Sequence, residues 1–245
     1  MNALNSVLLL FVLITTCTAS YYTYPCKKIC IFDNVTCVTR GGFNMYKNVV
    51  KGQKGLIMPL DPLHMEEIDG EMASVKFKLT NITMYGLKIC AVTKATVNAT
   101  EDIYKQYLYC PKLISHFHYK AQKHSDTPAL HGTGEATIVA YDYNILNYGK
   151  YSVFVNKDHR PHFFVKTHDS RTRLKGKLVF EITQGCVVDN RTVKETATYM
   201  NQHWWETENK LHKPIVKRAM SILWHNTDIF VRNQTMGEII PEHNN

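Results

Sequence analysis

The sequence lacks the short fingerprints by which the common catalytic sites are found. Its 245 residues hold no Gly-x-Ser-x-Gly turn, no His-Glu-x-x-His helix, no phosphate loop and no dinucleotide-binding glycine pattern. Glu66, Glu67, Asp69 and Glu71 stand together in what reads as a polar turn, where carboxylates are solvated and not matched as acid and base. No enzymatic activity is therefore expected. Metal ligands are equally wanting. Of the twelve histidines, His116 and His118 share a strand face and His159, His162 and His168 surround Pro161, yet no Cys-x-x-Cys or acidic residue stands where it would complete a zinc site. These histidines read as solvated surface groups, and no metal or cofactor is expected.

Acidic residues are also in short supply. The 21 Asp and Glu face 29 Lys and Arg, for a formal charge of +8. The cations are dispersed and form no nucleic-acid module, so no nucleic-acid partner is expected, whereas an anionic membrane or an extracellular polyanion fits the same electrostatics. Past the N-terminus no run is apolar enough to cross a bilayer, and no repeat or low-complexity tract is visible.

The apolar run that is present, residues 7–14, is followed by small and polar residues up to Ser20. It falls short of the ~20 residues a membrane span needs, and its layout predicts a secretory signal peptide over 1–20, although no Lys or Arg precedes it. The remainder, 21–245, has the length of one domain. Sequons at Asn34, Asn81, Asn98, Asn190 and Asn233 predict N-glycosylation and agree with export. Cys17 falls in the leader, which leaves Cys26, Cys30, Cys37, Cys90, Cys110 and Cys186 for disulfides in an oxidising compartment. Cys30 and Cys37 enclose a short loop and are joined first. Cys90 reaches Cys110 if their strands are neighbours.

Around Arg40-Gly41-Gly42 the helical tendency is weak, but Phe43, Tyr46, Val49 and Val50 keep one apolar face, which predicts a short helix ending near Gly52. The proline-broken run from Leu56 to Leu63 predicts an extended segment laid over apolar surface. From Glu71 the period becomes two. Ala73, Val75, Phe77 and Leu79 alternate with polar residues, and the apolar phase shifts past Asn81 and again past Gly86, which predicts one long, strongly curved strand with bulges and an outward Asn81. Leu113 to Tyr119, Thr133 to Ala140, residues 151–155, residues 163–165 and Leu174 to Ile182 predict the later strands. Residues 192–223 then show helical spacing, with Val193, Ala197, Met200, Trp204, Leu211, Ile215, Ala219 and Ile222 on one stripe and a kink expected near Leu211 ahead of Pro214.

Strands first and a long helix after them predict an α+β fold: a curved antiparallel sheet wrapped around a C-terminal helix, with space enclosed along that helix. Either this space is an apolar tunnel for a small hydrophobic molecule or side chains fill it. The candidate lining is Val75, Phe77, Leu79, Phe117, Ile138 and Phe180 from the sheet, with Met200, Trp204, Leu211 and Ile215 from the helix stripe. Trp205 lies about 100° further round and should point away.

Pro59-Leu60-Asp61-Pro62-Leu63, the run from Val75 to Leu79 leading to Met84-Tyr85-Gly86-Leu87, Pro111-Lys112-Leu113, His131-Gly132-Thr133-Gly134 and Met200-Asn201-Gln202-His203-Trp204 occur in that order. With them the chain resembles the insect takeout and juvenile hormone-binding protein family over essentially its whole mature length. The resemblance implies a secreted, non-catalytic carrier in haemolymph or another extracellular fluid, with an elongated apolar tunnel for a juvenile hormone-like terpenoid, fatty acid or related lipid. It also implies an N-terminal disulfide with six intervening residues, as between Cys30 and Cys37, and transient contact with a membrane or a delivery receptor. The competing reading is an extracellular interaction protein acting at a membrane, cuticle or glycan surface through its basic exterior.

Overall fold

Alternation of apolar and polar residues builds seven antiparallel strands into one sheet, seen in a computed structural model that describes residues 32–73, 75–121, 132–157, 159–185 and 190–239. The strands are β1 (Leu63–Met72), β2 (Val75–Tyr85), β3 (Ala91–Asn98), β4 (Ile103–Ala121), β5 (Gly132–Val155), β6 (Pro161–Leu174) and β7 (Leu178–Gly185). Helices α1 (Val35–Lys51), α2 (Asn190–Gln202), α3 (Trp204–Thr207), α4 (Lys213–Arg232) and α5 (Met236–Ile239) accompany them. The signal peptide, Cys26, Cys30 and Cys186 lie outside the described residues.

Two strands govern the architecture. β4 has 19 residues and β5 has 24, about 60 and 80 Å of extended chain, too long for one neighbour each. Along β5, β7 pairs with residues 134–140 and β6 with residues 143–155; along β4, β3 pairs with residues 103–109 and β2 with residues 114–121. The sheet is thus two halves sharing β4 and β5. Register shifts at Thr80/Thr83, Val92/Lys94, Glu135/Ala136 and Lys150/Tyr151 bend it.

The first of these shifts is the bulge expected at Asn81, which has φ 51° and is exposed. The expected strand does not continue to Ala91, however. It stops at Gly86 (φ 107°), where the backbone passes so close to Lys112 that a side chain would collide, and a 3₁₀ turn (Leu87–Ile89) intervenes before β3. Residues 151–155 are no separate strand but the end of β5. The expected polar turn at Glu66 to Glu71 is the outer part of β1. As an edge strand, β1 leaves Glu66, Glu67, Asp69 and Glu71 in solvent.

The long helical stretch is a series of segments. It breaks at His203, resumes as α3, widens into a π turn (Glu208–His212) and continues as α4 to Arg232. Pro214 falls in the first turn of α4, where its missing N–H is not needed. The irregularity expected near Leu211 is present, and the break at His203 is additional.

Candidate functional site

A cavity of about 110 Å³ lies in the half of the molecule built on β3, β4, β5 and β6. Helices α1, α4 and α5 cover it. Val38 and Met45 of α1, Ala95 and Val97 of β3, Tyr151 and Phe163 of the β5–β6 pair, and Trp224 and Val231 of α4 are among its walls. Gly42 lets α1 approach, since a Cβ there would stand 3.1 Å from the Ala95 Cβ, tighter than ordinary packing. The Asp228 carboxylate accepts from the Val165 N–H at 2.7 Å and from Arg232 Nε at 2.8 Å, fixing α4 on β6.

Three polar groups in the wall are turned back on the protein, whereas the buried Trp224 Nε1–H has no hydrogen-bond partner among the described residues. Tyr104 donates its hydroxyl to the Thr167 carbonyl at 3.2 Å while its ring lies 4.6 Å from that of Trp224. Gln106 Nε2 donates to the Gly42 carbonyl at 3.5 Å, and Thr227 Oγ1 to the Leu223 carbonyl at 2.8 Å. Burial pushes the Tyr104 phenol far above its ordinary pKa, so it stays neutral. What remains facing the space is apolar, with exposed Lys105 at the rim. Such a wall suits a hydrophobic chain and offers a cation only at its entrance.

The residues expected to line a tunnel are placed differently. Val75, Phe77, Leu79, Phe117, Ile138, Phe180, Met200, Leu211 and Ile215 are brought together, all buried in one hydrophobic cluster, and none borders the cavity. Trp204 is 44 % exposed and Trp205 67 % exposed, so the inward placement of Trp204 is overturned. The break at His203 resets the helix phase: Thr207, not Trp204, follows Met200 on the inner side and donates Oγ1 to its carbonyl at 2.8 Å.

A polar cluster unforeseen in the sequence lies in this core. Tyr143 donates to Glu208 Oε1 at 2.5 Å, Glu208 Oε2 lies 2.7 Å from His212 Nδ1, and all three residues are buried. Burial by itself pushes the Glu208 pKa up, but hydrogen bonds from His212 and Tyr143 and the nearby His212 and Lys213 charges outweigh it and hold the carboxyl below its ordinary value. Tyr143 is pushed up, first by burial and then by the Glu208 charge. The available signal was Glu208 and His212 four residues apart beside Leu211 on an otherwise apolar face.

Cys90 and Cys110 form a disulfide between β3 and β4, as their strand positions allowed. Cys37 is disulfide-bonded, while Cys30 lies outside the described residues. Of the sequon asparagines, Asn34, Asn81, Asn98 and Asn233 are exposed, and the Asn190 side chain is not among the described groups. Among the described residues no group of three or more His, Cys, Asp or Glu could hold a metal ion, and no helix is long and apolar enough to cross a membrane.

The family model described as haemolymph juvenile hormone binding protein matches residues 8–241. Among solved structures, Takeout 1 of Epiphyas postvittana superposes with a TM-score of 0.77 at 16 % identity, covering 86 % of this chain and 97 % of that one. A lipopolysaccharide binding protein gives a TM-score of 0.40 at 10 % identity over 86 % of this chain and 40 % of its own, too loose to support any argument. No curated protein matches.

Proposed function

Because the chain belongs to the haemolymph juvenile hormone binding protein family, we propose that it is a secreted, non-catalytic carrier of a small hydrophobic molecule. The observation that supports this most is the apolar cavity beneath α1 and α4, where the wall groups of Tyr104, Gln106 and Thr227 are already hydrogen-bonded within the protein. An incoming ligand has to satisfy none of these three, while the buried Trp224 indole N–H lacks a partner among the described residues. At about 110 Å³ the space is smaller than the roughly 300–1,000 Å³ of pockets for drug-sized ligands. The reading is therefore a slender apolar chain, such as a fatty acid or linear terpenoid, that enters by displacing wall side chains, with any carboxylate left near Lys105.

A fluorescent fatty-acid probe titrated into the purified protein tests this. One site per chain is expected, with quenching of Trp224, which sits in the wall. Val231→Phe, which narrows the cavity, should weaken the probe at least about tenfold while the fold is kept, since overpacking costs about 1–3 kcal/mol. Ile138→Val in the packed core should leave affinity unchanged. Equal affinity in Val231→Phe and wild type would remove the cavity from the proposal.

A further inference from the structure

The ends of β5 and β6 run past the rest of the sheet. β4 begins at Ile103, opposite Lys150, so residues 151–155 and 161–165 continue as a two-stranded ribbon for roughly 15 Å. Its base is tied by the Tyr151 N–H to the Asp102 carbonyl at 3.0 Å. Tyr151, Val153 and Val155 share one face, and their exposure climbs from 7 % through 44 % to 64 %. Tyr151 is in the cavity wall, so an apolar track leads from the cavity to the ribbon tip. Phe163, paired with Val153, is also in that wall and packs edge-on against Tyr151 at 5.6 Å.

The charge around this track is one-sided. Residues 150–168 carry Lys150, Lys157, Arg160 and Lys166 against the single carboxylate Asp158. Lys150, Lys157 and Lys166 are exposed, as is Lys105 at the cavity rim. The exposed acids Glu101 and Asp102 belong to the turn at the ribbon base, and Glu238 is engaged by Thr235 through its N–H at 2.7 Å and its hydroxyl at 2.9 Å. A ribbon that carries both exposed valines and exposed lysines matches the interface of an anionic bilayer, where apolar groups enter and cations meet headgroups. Among the described residues other large apolar side chains are exposed elsewhere: Met58 at 79 %, Ile89 at 50 %, and Trp204 with Trp205, roughly 30 Å along the helix from Trp224, near the β1–β2 turn, where Glu206 accepts from the Ala73 N–H.

We propose that the β5–β6 ribbon is a membrane-docking element. Val153 and Val155 enter the interface of an anionic bilayer, the lysines hold its headgroups, and the cavity mouth is set against lipid, so an apolar ligand moves between bilayer and cavity without crossing water. The transfer role rests on the carrier reading; the docking is measured without any ligand.

The test is sedimentation of the full mature protein with vesicles of phosphatidylcholine containing phosphatidylserine, beside vesicles of phosphatidylcholine alone. Binding is expected only with phosphatidylserine, weakening at least tenfold in 0.5 M salt as screening removes the attraction. Val153→Asp with Val155→Asp should weaken it at least tenfold, and so should the fold-neutral surface pair Lys157→Glu with Lys166→Glu. Trp204→Ser with Trp205→Ser should bind like wild type. Circular dichroism confirms that each variant is folded, and the fatty-acid probe is titrated into each separately. Wild type that ignores phosphatidylserine, ribbon variants that bind normally, or loss confined to the tryptophan variant, as for a protein receptor site or a different docking face, would overturn the proposal. A protein that docks but takes no probe would sink the carrier reading alone.

Discussion

Glu208 can sit buried because both its oxygens are met, one by the Tyr143 hydroxyl and the other by the His212 ring. Its folded pKa lies below the ordinary 4.5, so the stability it contributes is present above that value and is lost as pH falls through the folded pKa. At pH 7, Glu208→Gln should be less stable by about 1–3 kcal/mol, the range for a buried hydrogen-bonded charge. At a second pH below the folded pKa the gap should close, because the wild-type carboxyl is then protonated too. Urea midpoints at the two pH values measure this; a gap that stays constant would show that the buried carboxyl is not ionised. The tryptophans make the complementary case. Trp224→Ala should destabilise by about 3–5 kcal/mol, as large-to-small changes in packed interiors do, whereas Trp204→Ser with Trp205→Ser should stay within about 0.5 kcal/mol per site. Thermal melts of the two variants discriminate between them.

Among elements, β3 depends most on a covalent tie. It pairs only with β4 within the sheet, and the Cys90–Cys110 bond clamps its first turn across 20 residues of chain. Replacing both cysteines by serine should cost about 2–4 kcal/mol and expose the β3 amides to hydrogen exchange before those of β5. A loss below 0.5 kcal/mol with unchanged exchange would mean that α1 alone secures β3. Period-two alternation made β2, and the bulge at Asn81, legible in the sequence, because a one-residue slip turns the apolar set outward and has to be corrected locally. The same rule was silent for β1, where the inward phase passes from Leu63 and Met65 to Ile68 and Met72, with Gly70 between, and so breaks the alternation. It was silent for the break at His203 as well: hydrophobic spacing on its two sides is consistent with one helix, and only the tertiary fit of Thr207 and Glu208 selects the rotated phase. Gly41 and Gly42, a sign of helix weakness in isolation, are buried where α1 meets β3.

For the molecule as a whole, the curved sheet over a C-terminal helix was legible, and the position of the empty space was not. The strongest apolar signals, Phe77, Phe117, Ile138 and Phe180, mark the buried hydrophobic cluster and do not border the cavity described above. The cavity instead collects ordinary positions from separate elements, such as Val38, Thr96, Gln106 and Thr227, which no local pattern unites. Chain order has a further consequence. All seven strands precede α4, the helix that covers β6 and closes the cavity half. A growing chain on the ribosome therefore completes its long β4–β5 pairing while α1 is present but α4 is not, a period in which unprotected strands are prone to stick to other chains. Synthesis cut short before residue 213 would release a sheet without its lid. For this chain, chaperone supervision during export is needed most until the 20 residues of α4 have been made, long after most of the sheet's backbone hydrogen bonds have become available.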